Sequence, residues 1–286
     1  MEITGKTKLT ALLGSPVAHS ISPMMHNEAF RLLGLDFAYL AFDVGREKLA
    51  DVVKAFREMD VKGFNLTMPD KVEMCGLCDE LSEAAGMIGA VNTVVNENGR
   101  LIGHNTDGIG YMQALDDAGH SIAGGKMTLL GAGGAATAVC VQAALDGVRE
   151  ISIFNRKSPT FAHAEKLAEN IRKNTSCQAD VYDIADHAKL KEEIFSSDIL
   201  TNGTSIGMAP DVDGCPVPDE TYIREGMIVS DLIYNPRETK LLSYGKKRGA
   251  KVCNGLYMLL YQGAEAFRLW TGKDMPVAEI KKKYFS

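Results

Sequence analysis

After the apolar run Met127-Thr128-Leu129-Leu130 the chain reads Gly131-Ala132-Gly133-Gly134-Ala135-Ala136-Thr137, then continues as a small-residue helical pattern to Leu145. A G-x-G-x-x-A spacing between strand and helix suits a pyrophosphate. Gly131 permits the tight turn, Gly133 lets the anion approach the backbone, and Ala136 lets helix and strand pack closely while helix N–H groups face the phosphates. Gly131, Ala132, Gly133, Gly134 and Ala135 are therefore candidate contacts to a dinucleotide; the alternative is a glycine-rich turn with no ligand. At the end of the next strand, where an acidic residue would take a ribose 2'-hydroxyl, the chain reads Asn155-Arg156-Lys157-Ser158. That stretch offers no carboxylate. Its two cations suit a 2'-phosphate, which favours NADP and leaves dual use with NAD open.

Two further clusters carry polar chemistry. In His19-Ser20-Ile21-Ser22-Pro23, Ser22 is placed to cap a helix whose first residue is Pro23. Two hydroxyls beside a positive helix end also suit a carboxylate. Asn65-Leu66-Thr67-Met68-Pro69-Asp70-Lys71 sets amide, hydroxyl and ammonium at the C-terminal end of a strand, where ligands bind in open α/β sheets. The alternatives are plain capping and a solvated lysine.

The elements that must position these groups alternate in type. Apolar runs at 9–13, 37–44 and 63–66 are separated by helical patterns at 23–33 and 48–59, a β-α-β-α-β series that implies a mostly parallel sheet. Residues 71–87 read as short helices, and 90–95 with 100–103 as a hairpin around Asn96-Glu97-Asn98-Gly99. A helix over 107–118 leads to a second series with strands near 127–130, 151–154, 179–182, 199–200, 227–229 and 250–252. The last helices, from Met258 and Val277, precede no strand and are expected to pack back on the first domain. The fold class is thus α/β. A mostly parallel substrate domain spans 1–110 and is completed by 255–286, and a Rossmann-type NAD(P)-binding domain spans 111–254.

Composition narrows the partners. Lys and Arg number 31 against 37 Asp and Glu, a formal charge of −6, with the basic residues scattered apart from Lys281-Lys282-Lys283. Nucleic acid is not an expected partner. No apolar stretch reaches the roughly 18 residues of a spanning helix, and the N-terminus lacks a targeting pattern, so no membrane partner and a cytoplasmic location are expected. Six cysteines suit a reducing compartment; Cys75-Gly76-Leu77-Cys78 has redox or zinc spacing but no second Cys or His pair, so no metal site is assigned.

The ordered motifs place the chain by resemblance. H-S-I-S-P at 19–23, N-L-T-M-P-D-K at 65–71, G-A-V-N-T at 89–93, N-T-D-G at 105–108, G-A-G-G-A-A at 131–136, N-G-T-S-I-G-M at 202–208, D-L-I-Y-N-P at 231–236 and G-L-Y-M-L-L-Y-Q-G-A at 255–264 resemble the shikimate dehydrogenase family, in particular its quinate/shikimate dehydrogenase branch. The resemblance implies reversible NAD(P)-dependent hydride transfer between shikimate, with quinate as a further candidate, and the 3-dehydro ketone. It implies Lys71 and Asp107 as the catalytic pair. Ser20 and Ser22 would hold the substrate carboxylate with Tyr234 nearby, and Asn65, Thr67, Asn92 and Gln262 would bind carboxylate or ring hydroxyls. Asn155, Arg156 and Lys157 would serve the adenosine-phosphate side of NADP or NAD, and Thr204, Gly255 and Met258 the nicotinamide side.

Two positions depart from the family pattern: Asp70 stands where many members have His, and Lys157 where many have Thr, which keeps NAD use open. A carboxylate beside a lysine favours the charged ammonium, which suits Lys71 as proton donor to a carbonyl oxygen if Asp107 is its neighbour. The partner is a small cyclic hydroxy acid, and a homodimer is an allowed assembly. The alternatives are a dehydrogenase of another cyclic hydroxy acid such as an aminoshikimate, a folate-linked dehydrogenase of similar layout, which the serines disfavour, and a non-catalytic dinucleotide or metabolite sensor on the same fold.

Overall fold

A computed structural model describes residues 2–285. They divide into two units, one made of the chain up to Thr106 together with the chain from Leu260 onward, the other Asp107–Leu259.

In the first unit, β1 (Lys8–Gly14), α1 (Ser22–Leu32), β2 (Phe37–Asp43), α2 (Arg46–Glu58) and β3 (Gly63–Leu66) form the β-α-β-α-β series, with β1 hydrogen-bonded in parallel to both β2 and β3. The apolar face of α2 explains its docking: Leu49, Val53 and Phe56 recur at helical spacing and pack with Ala11, Leu13 and Phe64 of the sheet. β4 (Glu80–Leu81), α3 (Glu83–Ile88), β5 (Thr93–Glu97) and β6 (Arg100–His104) follow, and the strand order is β2-β1-β3-β5-β6-β4. The β5–β6 turn forms as its sequence demands, with Asn98 and Gly99 at positive φ and the Asn96 side chain accepting the Gly99 N–H at 2.7 Å. Residues 71–87 hold short helices, as expected, but also a strand that was not. Only one 3-10 turn, Glu73–Leu77, and α3 are helical, because Asp79 accepts the Leu101 N–H at 2.7 Å and draws Glu80–Leu81 into the sheet beside β6.

The second unit opens with α4 (Asp107–Asp117) and then builds a six-stranded parallel sheet from β7 (Lys126–Leu130), β8 (Glu150–Asn155), β9 (Gln178–Asp183), β10 (Ile199–Asn202), β11 (Ile228–Asp231) and β12 (Lys251–Cys253). The order β12-β11-β10-β7-β8-β9 is the doubly wound arrangement, whose direction of winding reverses between β7 and β10. Helices α5 (Gly134–Leu145), α6 (Pro159–Asn174), α7 (His187–Ser196) and α8 (Lys240–Lys247) are interleaved with the strands. Strands such as Ile151, Ile153, Leu129 and Leu200 are buried in near-continuous apolar runs, as a sheet covered on both faces requires.

The chain then enters α9 (Leu256–Thr271) and α10 (Val277–Tyr284). From Leu260 onward it belongs to the first unit: Trp270 donates its indole N–H to the Val94 carbonyl at 2.9 Å, and Lys283 pairs with Glu28 of α1 at 2.9 Å.

Beneath that return, His26 is fully buried, stacked on Tyr39 at 4.5 Å between ring centroids and flanked by Phe30, Phe267 and Trp270. Neither ring nitrogen has a hydrogen-bond partner, and burial pushes its pKa from the ordinary 6.5 down to about 3. Between those values the unfolded chain takes a proton that the folded chain refuses, so stability present above pH 6.5 is lost as pH falls toward 3, by about 1.4 kcal/mol per pH unit from this group. Urea midpoints measured from pH 7 to pH 4 are expected to show that slope, and His26→Leu to flatten it.

Candidate active site

At the C-terminal end of β3 a chain of buried polar groups runs through the first unit. The Tyr39 hydroxyl, fully buried, donates to Asn65 Oδ1 at 2.7 Å and lies in hydrogen-bond reach of the Ser22 hydroxyl. Asn65 Nδ2 donates to the Asn92 carbonyl at 3.2 Å and to Thr93 Oγ1 at 2.9 Å. Because one acceptor is a backbone carbonyl, the orientation of the carboxamide follows from the chemistry: both amide hydrogens are committed inside the protein. Thr93 Oγ1 passes its proton to Asn92 Oδ1 at 2.9 Å, which also accepts the Thr106 N–H at 2.8 Å, while Asn92 Nδ2 donates to Thr106 Oγ1 at 3.1 Å.

The other residues expected on this side sit around that chain. Ser20 accepts the Ser22 N–H at 3.2 Å. Ser22 is not the N-cap of α1, as its position before Pro23 suggested. It is the first helical residue, with Ile21 at the cap and no side-chain cap bond, and its hydroxyl turns to Tyr39 instead. Thr67 is tied to the end of β1 through its N–H to the Leu13 carbonyl at 2.9 Å, and the Lys71 carbonyl accepts the Val91 N–H at 2.8 Å, one residue before Asn92. Gln262 lies on the part of α9 that belongs to the first unit. Asp70, beside Lys71, has a buried carboxyl with neither oxygen hydrogen-bonded, and burial raises its pKa, with Glu73 adding to the effect.

In the second unit the fingerprint folds as its spacing predicts. Gly131 takes φ +91° at the turn, Gly133 is the N-cap of α5, and Gly134 begins the helix. A Cβ built on Gly133 or Gly134 would meet nothing within 4 Å, so these two glycines, between Ala132 and Ala135, present bare backbone to an open cradle at the reversal of the sheet. That cradle fits a pyrophosphate at a helix N-terminus. Across the reversal, Asn202 Oδ1 accepts the Thr204 N–H at 3.0 Å and its hydroxyl proton at 2.7 Å, which holds Thr204 against Gly131. Gly255 admits no side chain, since a Cβ there would stand 2.0 Å from the Leu232 carbonyl oxygen. Asp107 is the first residue of α4, and Tyr234 is half exposed in the loop after β11.

Asn155 is buried and donates to Thr160 Oγ1 at 3.2 Å, while Arg156 and Lys157 are exposed beyond it. Here the expectation that no carboxylate is at hand needs correction. β8 and β9 run in register so that Asn155 lies opposite Asp183, and the Asp183 carboxylate stands 4.0 Å from the Lys157 ammonium. A neighbouring strand supplies what the local stretch lacks. Sequence reasoning also missed Tyr39, Thr93 and Thr106. Their hydroxyls carried no local signal, and only the fold brings them together, through Asn65 and Asn92. Cys75 and Cys78 are free thiols raised by burial, the latter to about 12, and among the described residues no group of His, Cys, Asp and Glu is poised to hold a metal. Among the same residues no helix is long and apolar enough to cross a membrane.

A doubly wound sheet with an open glycine cradle, coupled in sequence to a second α/β unit rich in buried amides and hydroxyls, defines a dinucleotide-dependent oxidoreductase. Residues 12–94 match the shikimate dehydrogenase substrate binding domain and 255–283 the shikimate 5'-dehydrogenase C-terminal domain. The chain is 53% identical to the shikimate dehydrogenase (NADP(+)) of Listeria monocytogenes serotype 4b (strain F2365), over 99% of this chain and 97% of that one. It matches the crystal structure of shikimate 5-dehydrogenase from Listeria monocytogenes in complex with shikimate and NAD at a TM-score of 0.96 and 53% identity, covering 99% and 98% of the two chains. Quinate dehydrogenase from Corynebacterium glutamicum in complex with NAD matches at 0.86 and 27% identity, covering 98% and 99%. The chain belongs to the shikimate dehydrogenase family, and it is an NAD(P)-dependent oxidoreductase acting on a CH–OH group.

Asn65→Ala would remove the acceptor of the buried Tyr39 hydroxyl and take one donor each from Thr93 Oγ1 and from the Asn92 carbonyl, which keeps the Leu66 N–H. A loss of about 2–4 kcal/mol is expected in urea unfolding, larger than any exposed substitution on α2 would cause.

Proposed function

We propose that the chain catalyses reversible oxidation of shikimate at a ring carbinol to the 3-dehydro ketone, with NADP+ preferred and NAD+ accepted, in the cytoplasm. The observation that carries this reading is the amide and hydroxyl cluster beside Lys71, in a chain 53% identical end to end to an NADP-dependent shikimate dehydrogenase. The free state of all six cysteines supports the location.

A nicotinamide dinucleotide would be held at the Gly131 turn and by Thr204, Gly255 and Met258, and would supply the hydride acceptor or donor. Ser20 and Ser22 hold the substrate carboxylate with two hydroxyls near the start of α1, and Tyr234 adds a third. Asn65 has no amide hydrogen left, so it meets the ring through Oδ1 and accepts from a hydroxyl; it is a reader of donors, not of the carboxylate. Thr67, Asn92 and Gln262 complete the hydrogen bonds to the ring. Lys71 gives its proton to the carbonyl oxygen in reduction and receives it back in oxidation, and Asp107 orients a ring hydroxyl.

Quinate is the second substrate of this reading, supported by the likeness to a quinate dehydrogenase. Steady-state rates for shikimate and quinate, each with NAD+ and NADP+, test the whole proposal. Shikimate with NADP+ should be fastest, and no turnover in any of the four pairs overturns it. Lys71→Met is expected to cut turnover roughly 10²- to 10⁴-fold while substrate still binds in equilibrium titration.

Cofactor choice divides between two groups. Arg156, with Lys157, grips a 2'-phosphate, and Asp183 accepts a free 2'-hydroxyl. Arg156→Ala should raise the KM for NADP+ about tenfold or more and leave that for NAD+ within twofold, whereas Asp183→Asn should weaken NAD+ alone.

A further inference from the structure

Behind α4, and wholly within the second unit, lies a cavity of about 210 Å³. Tyr111, Ala114 and Ala118 line it from α4, Cys253 from the end of β12, and Tyr257 and Met258 from the first turn of α9. Ala118 is exposed, so the cavity opens to solvent there.

Three observations decide what it can hold. None of its ten lining residues carries a charge, and its one thiol, Cys253, is kept protonated by burial. Its polar groups already have protein partners. The Tyr111 hydroxyl bonds Thr201 at 2.8 Å and Ser230, the Asn254 side chain spans the Arg237 carbonyl and the Leu256 N–H, and Tyr257 is also engaged. Carboxylates, phosphates and the carboxamide of a nicotinamide would therefore be desolvated there without compensation. The volume exceeds the roughly 150 Å³ of an apolar protein cavity that stays dry and takes up benzene.

The walls are elements of the catalytic machinery. Asp107 precedes Tyr111 by one turn on the same face of α4, and the tight seat of Gly108 on the Ala138 carbonyl transmits any shift of the helix to α5, whose N-terminus is the glycine cradle. Met258 belongs to both the cavity and the nicotinamide side of the proposed site.

We propose that this cavity is a second small-molecule site, for an uncharged one- or two-ring aromatic compound, and that filling it slows turnover by displacing α4 and Met258. The inhibitory half rests on the function proposed above; the binding half does not.

Indole is the probe. With the ligand-free protein, millimolar indole should raise the melting temperature, and at saturation it should lower kcat with shikimate and NADP+ by roughly fivefold with the KM for NADP+ unchanged. Ala118→Leu narrows the mouth and should keep its basal rate and lose both responses, whereas Ala114→Leu fills the cavity itself and should lose the melting response and turn over more slowly without indole. No melting shift in the wild type, inhibition competitive with NADP+, or full responses in both folded variants would overturn the site. A melting shift that the variants abolish, without any effect on turnover, overturns the inhibitory half. The same shift in a protein inactive with all four substrate and cofactor pairs upholds the site and refutes the enzyme assignment instead.

Discussion

The Asn65 carboxamide must satisfy all its polar atoms without water, and that requirement organises the first unit. It sits on β3, and its partners come from β2, from β5 and from the residue just before β5: Tyr39, Thr93 and the Asn92 backbone. An unpaired donor or acceptor there would cost far more than a satisfied one contributes, which makes the arrangement all-or-none. From Thr93 the constraint passes to Asn92 and then to Thr106, the last residue before Asp107. One amide is thereby linked to Thr106, the residue just before α4.

The second unit solves its positioning problem by leaving atoms out. Where the first unit fixes side chains by pairing them, here the missing Cβ atoms of Gly133 and Gly134 leave backbone N–H groups bare at the reversal of the sheet, and Gly255 lets the chain pass the Leu232 carbonyl at a separation no side chain would tolerate. The net charge of −6 gives both sites the same electrostatic problem. On the function proposed above, anionic ligands are attracted by local groups, namely helix N-termini, paired hydroxyls, Lys71 and Arg156. The approach of Asp183 to Lys157 tempers the most basic of these places, and gives a physical basis for a cofactor site that tolerates both a 2'-phosphate and a 2'-hydroxyl.

What the amino-acid sequence determined by itself was the part of the protein governed by local rules. The Gly131 turn, the Asn96-to-Gly99 hairpin and the alternation of strand and helix all depend on residues within a few positions of one another, so their spacing is sufficient to specify them. The identities of Lys71, Ser20 and Ser22 as chemical candidates were legible for the same reason, whereas Asp107 was a candidate only through the family resemblance. What only the tertiary structure decided were the relations between distant segments. The Ser22 hydroxyl leaves its helix cap for Tyr39, Asn65 spends both amide hydrogens internally, Asp183 arrives beside Lys157 from the next strand, and residues 71–87 yield a strand where helix was expected because Leu101 captures Asp79. Each of these follows from how the fold brings distant segments together, and a polar atom takes whichever partner comes within hydrogen-bonding or ion-pairing reach, however far away that partner lies in the chain.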